Sequence, residues 1–155
     1  MMNSEKTATV KKIIIVLIVI SIAVAWVHSA MPVPISQSES GFFLDFLKPV
    51  FRVFIPDEAI TDHLVRKMAH FSEYGLMGIE MMAFLAVSDK LKPRFYVNTF
   101  FSGLSIAVID ETIQIFSGRG PLISDLWIDM GGFVTGGLIA GLVIFLIRRK
   151  KTPET

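Results

Sequence analysis

The chain contains no cysteine among its 155 residues. Disulfides, thiolate nucleophiles and zinc–thiolate centres are therefore excluded. Charge is missing where a soluble domain would need it: residues 13 to 27, IIIVLIVISIAVAWV, carry none. Proline is absent from the middle of each long apolar run, so no span is broken in the way that carriers often require. Internal repeats and low-complexity segments are absent too. The net charge is only +1, and no nucleic-acid partner is expected.

What the chain has is apolar length. From Ile13 to Met31 run 19 residues, close to the roughly 20 that cross a ~30 Å hydrocarbon core. Further runs cover 68 to 87, 95 to 116 and 126 to 147. Together these imply one all-α domain, an integral membrane four-helix bundle, with no room for a separate soluble unit. The cations are placed unevenly. Lys6, Lys11 and Lys12 precede the first run, Lys90, Lys92 and Arg94 separate the second and third, and Arg148, Arg149, Lys150 and Lys151 follow the fourth. By the positive-inside rule that side is cytoplasmic, with both termini inside and residues 32 to 67 and 117 to 125 outside. The competing reading of the first run is a signal peptide cut near VHSA; its length favours a retained anchor.

Between the first two spans, FFLDFLKPVFRVF (42 to 54) sets Asp45, Lys48 and Arg52 on one stripe against phenylalanines. It reads as an amphipathic segment lying in the outer interface. In the fourth span Gly132 and Gly136, and Gly137 and Gly141, form two small-xxx-small pairs that permit close helix approach.

Polar residues sit inside the spans in one layer. At 1.5 Å per residue, His70 lies roughly 3 Å below the outer end of its run, Glu73 roughly 8 Å, Asp110 roughly 9 Å and Asp129 roughly 5 Å. Glu111 and Gln114 share that layer, Asp125 is at its lip, and Arg66, Lys67 and Arg119 stand above it. Arg66, His70, Glu73 and Met77 form one stripe, and Asp110 with Gln114 and Asp125 with Asp129 are i, i+4 pairs. A charge at bilayer depth costs at least ~2.5–3.5 kcal/mol, whereas an interhelical polar contact returns about 0.6 kcal/mol. A pocket facing outward is therefore favoured over simple glue. Its five acids exceed its three cations, Arg66, Lys67 and Arg119. The excess calls for a carboxyl proton, a charged His70 or a bound cation. No cofactor is implied, and a divalent cation is the one candidate, although no established metal-ligand spacing is present. Glu80 lies deeper and is expected to bond a neighbouring helix, with Thr135 at suitable depth. His28 beside Trp26 reads as an interface anchor, and His63 as an outer residue; neither is expected in the chemistry.

RKMAHFSEYG (66 to 75) and DETIQIFSGRGPLISD (110 to 125) closely resemble the two signatures of the VanZ-like family, small membrane proteins associated with resistance to teicoplanin and related glycopeptides. The likeness rests on Lys67, Ala69, His70, Phe71, Glu73 and Tyr74, then on Asp110, Glu111, Gln114, Phe116, Gly118, Arg119 and Asp125. SQSESG (36 to 41) resembles the family's outer serine-rich stretch, whereas Asp129 stands where the family often has asparagine. The resemblance implies a bacterial plasma-membrane protein that lowers glycopeptide susceptibility, without supplying a reaction. With the layer, it makes His70, Glu73, Asp110 and Glu111 the candidates for acid–base work. Arg66, Lys67, Tyr74, Gln114, Arg119, Asp125 and Asp129 are the candidates for holding a membrane lipid or lipid-linked wall precursor. Binding alone and enzymatic alteration both fit. The alternatives are a non-catalytic surface partner and, on Glu80 alone, a small proton-coupled transporter.

Overall fold

A computed structural model describes residues 4–32, 61–118 and 122–150. These form four helices and, among the described residues, no strand: α1, Ser4–Ala30; α2, Asp62–Val87; α3, Pro93–Phe116; and α4, Ile123–Lys150. The proposed interfacial segment 42–54 and Arg119 lie outside the described residues.

Local sequence explains where the helices begin and end. Thr61 caps α2 by accepting the Leu64 N–H at 3.2 Å on its hydroxyl. Pro93 opens α3 at a position whose N–H would find no helical partner anyway. At the far end of α2, Asp89 adopts φ 54°, Lys90 N–H bonds Leu85 C=O at 2.8 Å, and Asp89 N–H reaches Ala86 C=O at 3.4 Å. That pair is a Schellman motif with an aspartate where glycine is usual. Since the left-handed conformation costs an L-residue about 1–2 kcal/mol, Asp89→Gly should stabilise the protein by up to about 1 kcal/mol. The midpoint of denaturant unfolding in micelles reads this, and a lower midpoint would contradict it. Past α3, Gly118 takes φ 76°, which its missing Cβ allows without strain.

α1, α3 and α4 are each long and apolar enough to cross a membrane by length and composition. α2 has a similar length but is loaded with Arg66, Lys67, His70, Glu73 and Glu80, and is the least apolar of the four. Isoleucine, valine and leucine side chains of α1 and α4 lie exposed along their lengths, as lipid-facing surfaces do.

α2 and α4 form the most extensive pair, α1 packs on both α2 and α3, and α3 touches α2 only briefly. The α2–α4 seam is a backbone contact. A Cβ on Gly132 would strike the Phe71 carbonyl, on Gly136 the Gly75 carbonyl, and on Gly78 the Phe133 carbonyl. Contacts that advance together along both chains make the two helices parallel, so their N-termini share one end of the bundle. Of the two glycine pairs foreseen in α4, Gly132 and Gly136 make this seam. Gly137 joins it through its backbone nitrogen, which a Cβ on Gly78 would strike, while a Cβ on Gly141 would meet only the Met82 side chain near 3.7 Å. Tyr74, Met77, Ile106, Ala107, Met130 and Phe133 fill the core with Ala25 of α1.

Candidate functional site

His70, Asp110 and Asp129 come from α2, α3 and α4 and converge at one point. His70 Nδ1 lies 3.5 Å from Asp129 Oδ1 and 3.8 Å from Asp110 Oδ2. Both carboxylates are fully buried, while His70 keeps slight exposure. Asp110 Oδ2 accepts the Ser29 hydroxyl of α1 at 2.7 Å and the Gln114 amide at 3.3 Å. All four helices therefore contribute to one cluster.

Adjoining it is a partly open cavity of about 270 Å³, lined by Arg66, Lys67, His70, Gln114, Asp125 and Asp129 among others. His63 lines it as well, one turn before Lys67. Lys67 pairs with Asp125 at 3.4 Å. The buried Nε of Arg66 has no hydrogen-bond partner among the described residues. The cavity thus carries Arg66 and Lys67 from the first two turns of α2, Asp125 level with Lys67, and the His70–Asp129 pair one turn farther along their helices. The N-termini of α2 and α4 add their positive dipole ends at the same end.

Several expected residues are placed differently from a simple acid–base stripe. Glu73 bonds His28 rather than His70: its Oε1 lies 2.6 Å from His28 Nδ1 on α1. Glu111 receives the Leu122 N–H at 3.1 Å and the Gln114 amide at 3.3 Å, so it ties α3 to the start of α4. Tyr74 is fully buried in the core beside the cluster, and its hydroxyl finds no partner among the described residues. Glu80 accepts from Ser21 of α1 at 3.0 Å, which takes the part expected of Thr135. The bundle brings together His70, Asp110, Gln114, Asp125, Asp129, Arg66 and Lys67, with Glu111 adjoining through Gln114.

The residues not foreseen are on α1. His28, read as an interface anchor, pairs with Glu73, and Ser29 holds Asp110. Ser117 donates to the Ser29 carbonyl at 2.9 Å, and the Trp26 indole to the Ile106 carbonyl at 3.4 Å. A signal for this was present. Ser21, His28 and Ser29 are the polar residues of the first apolar run and fall at i, i+7 and i+8, on one stripe.

No curated protein and no solved structure matches the chain. The profile of the VanZ/LLP1 family matches residues 13–146, a stretch that includes every cluster residue described above. By that match the chain is a member of the VanZ/LLP1 family.

Proposed function

We propose that the protein lowers susceptibility to teicoplanin and related glycopeptides by binding, or chemically altering, a lipid or lipid-linked wall precursor at the outer leaflet. The observation that carries this reading is the cavity itself, with cationic groups above a buried histidine–carboxylate floor at one end of a membrane bundle. Arg66 and Lys67 suit a phosphate, since guanidinium groups make bidentate contacts and the two helix N-termini favour an anion. His70 supplies an imidazole beside that ligand for proton transfer, held by Asp110 and Asp129 rather than by Glu73. The lysines and arginines at 6–12, 90–94 and 148–151 support a cytoplasmic location for the opposite end and for both termini, in a bacterial plasma membrane.

The test is expression in a teicoplanin-susceptible Gram-positive host, with inhibitory concentration measured beside membrane abundance. Wild type should raise the inhibitory concentration, and Arg66→Ala and His70→Ala should return it to baseline at unchanged abundance. Lipid extracts should gain or lose a component only with wild type, or a lipid should co-purify with it. Protection by both variants would favour a non-catalytic surface partner instead. No protection from wild type would remove the glycopeptide part of the reading.

A further inference from the structure

The carboxylates of Asp110 and Asp129 face one imidazole in the most buried part of the bundle, with few donors to satisfy them. Asp110 Oδ1 and both oxygens of Asp129 are buried and accept no hydrogen bond among the described residues. Buried carboxylate oxygens almost always have partners. Of the two cations lining the adjoining cavity, Lys67 is paired with Asp125, and Arg66 bonds neither aspartate among the described residues. One oxygen of Asp110 is held by Ser29 and Gln114, which orients that carboxylate toward His70 and leaves its other oxygen free.

The three groups are spaced for a common ligand: Asp129 approaches His70 with its free Oδ1, and Asp110 with the same Oδ2 that accepts from Ser29 and Gln114. One donor atom from each of His70, Asp110 and Asp129 lies within 4.8 Å of the others. The two spacings from His70 Nδ1 are 3.5 and 3.8 Å. Ligands about 2.0–2.2 Å from a common tetrahedral ion sit about 3.3–3.6 Å apart. The two His70 spacings need at most a few tenths of an ångström of contraction to reach one ion, and the Asp110–Asp129 spacing, within 4.8 Å, needs up to about 1.5 Å.

We infer that His70, Asp110 and Asp129 form a binding site for a divalent transition-metal ion, zinc first. The donor set selects the class of ion. Magnesium and calcium prefer all-oxygen shells of six or more ligands, whereas one imidazole with two carboxylates suits zinc, with manganese next. Three protein ligands leave a fourth position, and His70 and Asp129 both line the cavity, so that position faces it. Ser29 acts through Asp110 as a positioning residue, in the way that second-shell donors orient metal-ligating carboxylates. The metal site rests on the cluster and the cavity, not on the identity of the envelope ligand, and with the ion bound His70 is a ligand rather than a proton carrier.

The experiment uses the full chain, purified in micelles, stripped with a chelator and dialysed against zinc, manganese or magnesium chloride. Bound metal is counted by mass spectrometry, and thermal unfolding is followed with and without each ion. Wild type should hold one zinc per chain and melt higher with it. Asp110→Asn, Asp129→Asn and His70→Gln should each retain less than a tenth of that zinc and lose the thermal shift. Ser29→Ala should bind the same amount at saturation with affinity weakened about 10- to 100-fold. His63→Ala, also at the cavity but outside the cluster, should bind as wild type does. Folded wild type with no zinc above background would overturn the inference, as would full occupancy in Asp129→Asn. Equal filling by magnesium, undisturbed in His70→Gln, would overturn it as well. If the aspartate variants fail to fold, the wild-type stoichiometry and the Ser29→Ala affinity decide.

Discussion

Gly136→Val should abolish the folded bundle, and Gly132→Val should do the same. The added Cβ at either position meets a backbone carbonyl, that of Gly75 or Phe71, and no rotamer change can move it aside. The helices must separate instead. Between membrane helices the attraction is van der Waals packing rather than hydrophobic transfer, so separation forfeits most of what holds them. Overpacking in ordinary cores costs about 1–3 kcal/mol, with side chains yielding to absorb part of it. Here nothing yields, and the cost should reach or pass about 3 kcal/mol. Folded fraction during a denaturant titration in micelles measures this, with helicity followed in parallel. Gly131→Ala and Gly141→Ala are the controls. Their added Cβ would meet only side-chain atoms at 3.7 Å or beyond, and helix propensity favours alanine by about 0.8–1.0 kcal/mol. Wild-type stability in Gly136→Val would show that α2 and α4 do not touch as described.

The second large effect concerns α1. Its buried residues are Ala25 and Ser29, and most of its remaining surface is exposed aliphatic side chain. Its specific attachments are polar: Ser21 to Glu80, His28 to Glu73 and Ser29 to Asp110, with the Trp26 indole on the Ile106 carbonyl. Polar contacts between membrane helices average about 0.6 kcal/mol and reach about 1.7 kcal/mol. The triple change Ser21→Ala, His28→Ala and Ser29→Ala should therefore cost about 2–5 kcal/mol and release α1, while the glycine seam keeps α2 and α4 together. The chain's lack of cysteine makes the readout clean. A single Ala25→Cys places one thiol at a fully buried position. In micelles it should resist maleimide in the wild-type background and react readily in the triple variant. Equal protection in both would mean that apolar packing, not these polar contacts, docks α1.

The fold was legible wherever one physical signal dominated. Apolar length located the four helices, most plainly α1, α3 and α4, whose runs are long and apolar enough to cross a membrane. The convergence of His70, Asp110 and Asp129 was legible from depth and cost, because three helices placed ionisable groups in one layer. Partner choice was not legible. A stripe fixes which face a residue occupies but not which neighbour meets it, so Glu73 went to His28 and Glu80 to Ser21. Tyr74 shares the His70 stripe, yet it sits one turn farther along, where the helices close into the core. The glycines of α4 announced a close contact, but Gly75 and Gly78 on α2 gave no spacing that marked them as neighbours of the seam.

The glycine seam also makes the bundle mechanically unequal. His70 and Asp129 ride on two helices clamped backbone to backbone, so tilting or sliding carries them together. Asp110 rides on α3, which barely touches α2 and meets α4 where the Phe133 ring sits against Gly103 and where Glu111 accepts the Leu122 N–H. Stretching or thinning of the bilayer therefore shifts α3 against the clamped pair before it parts the pair itself. The gap between Asp110 and the other two groups is the soft dimension of the cluster, and the His70–Asp129 gap is the stiff one.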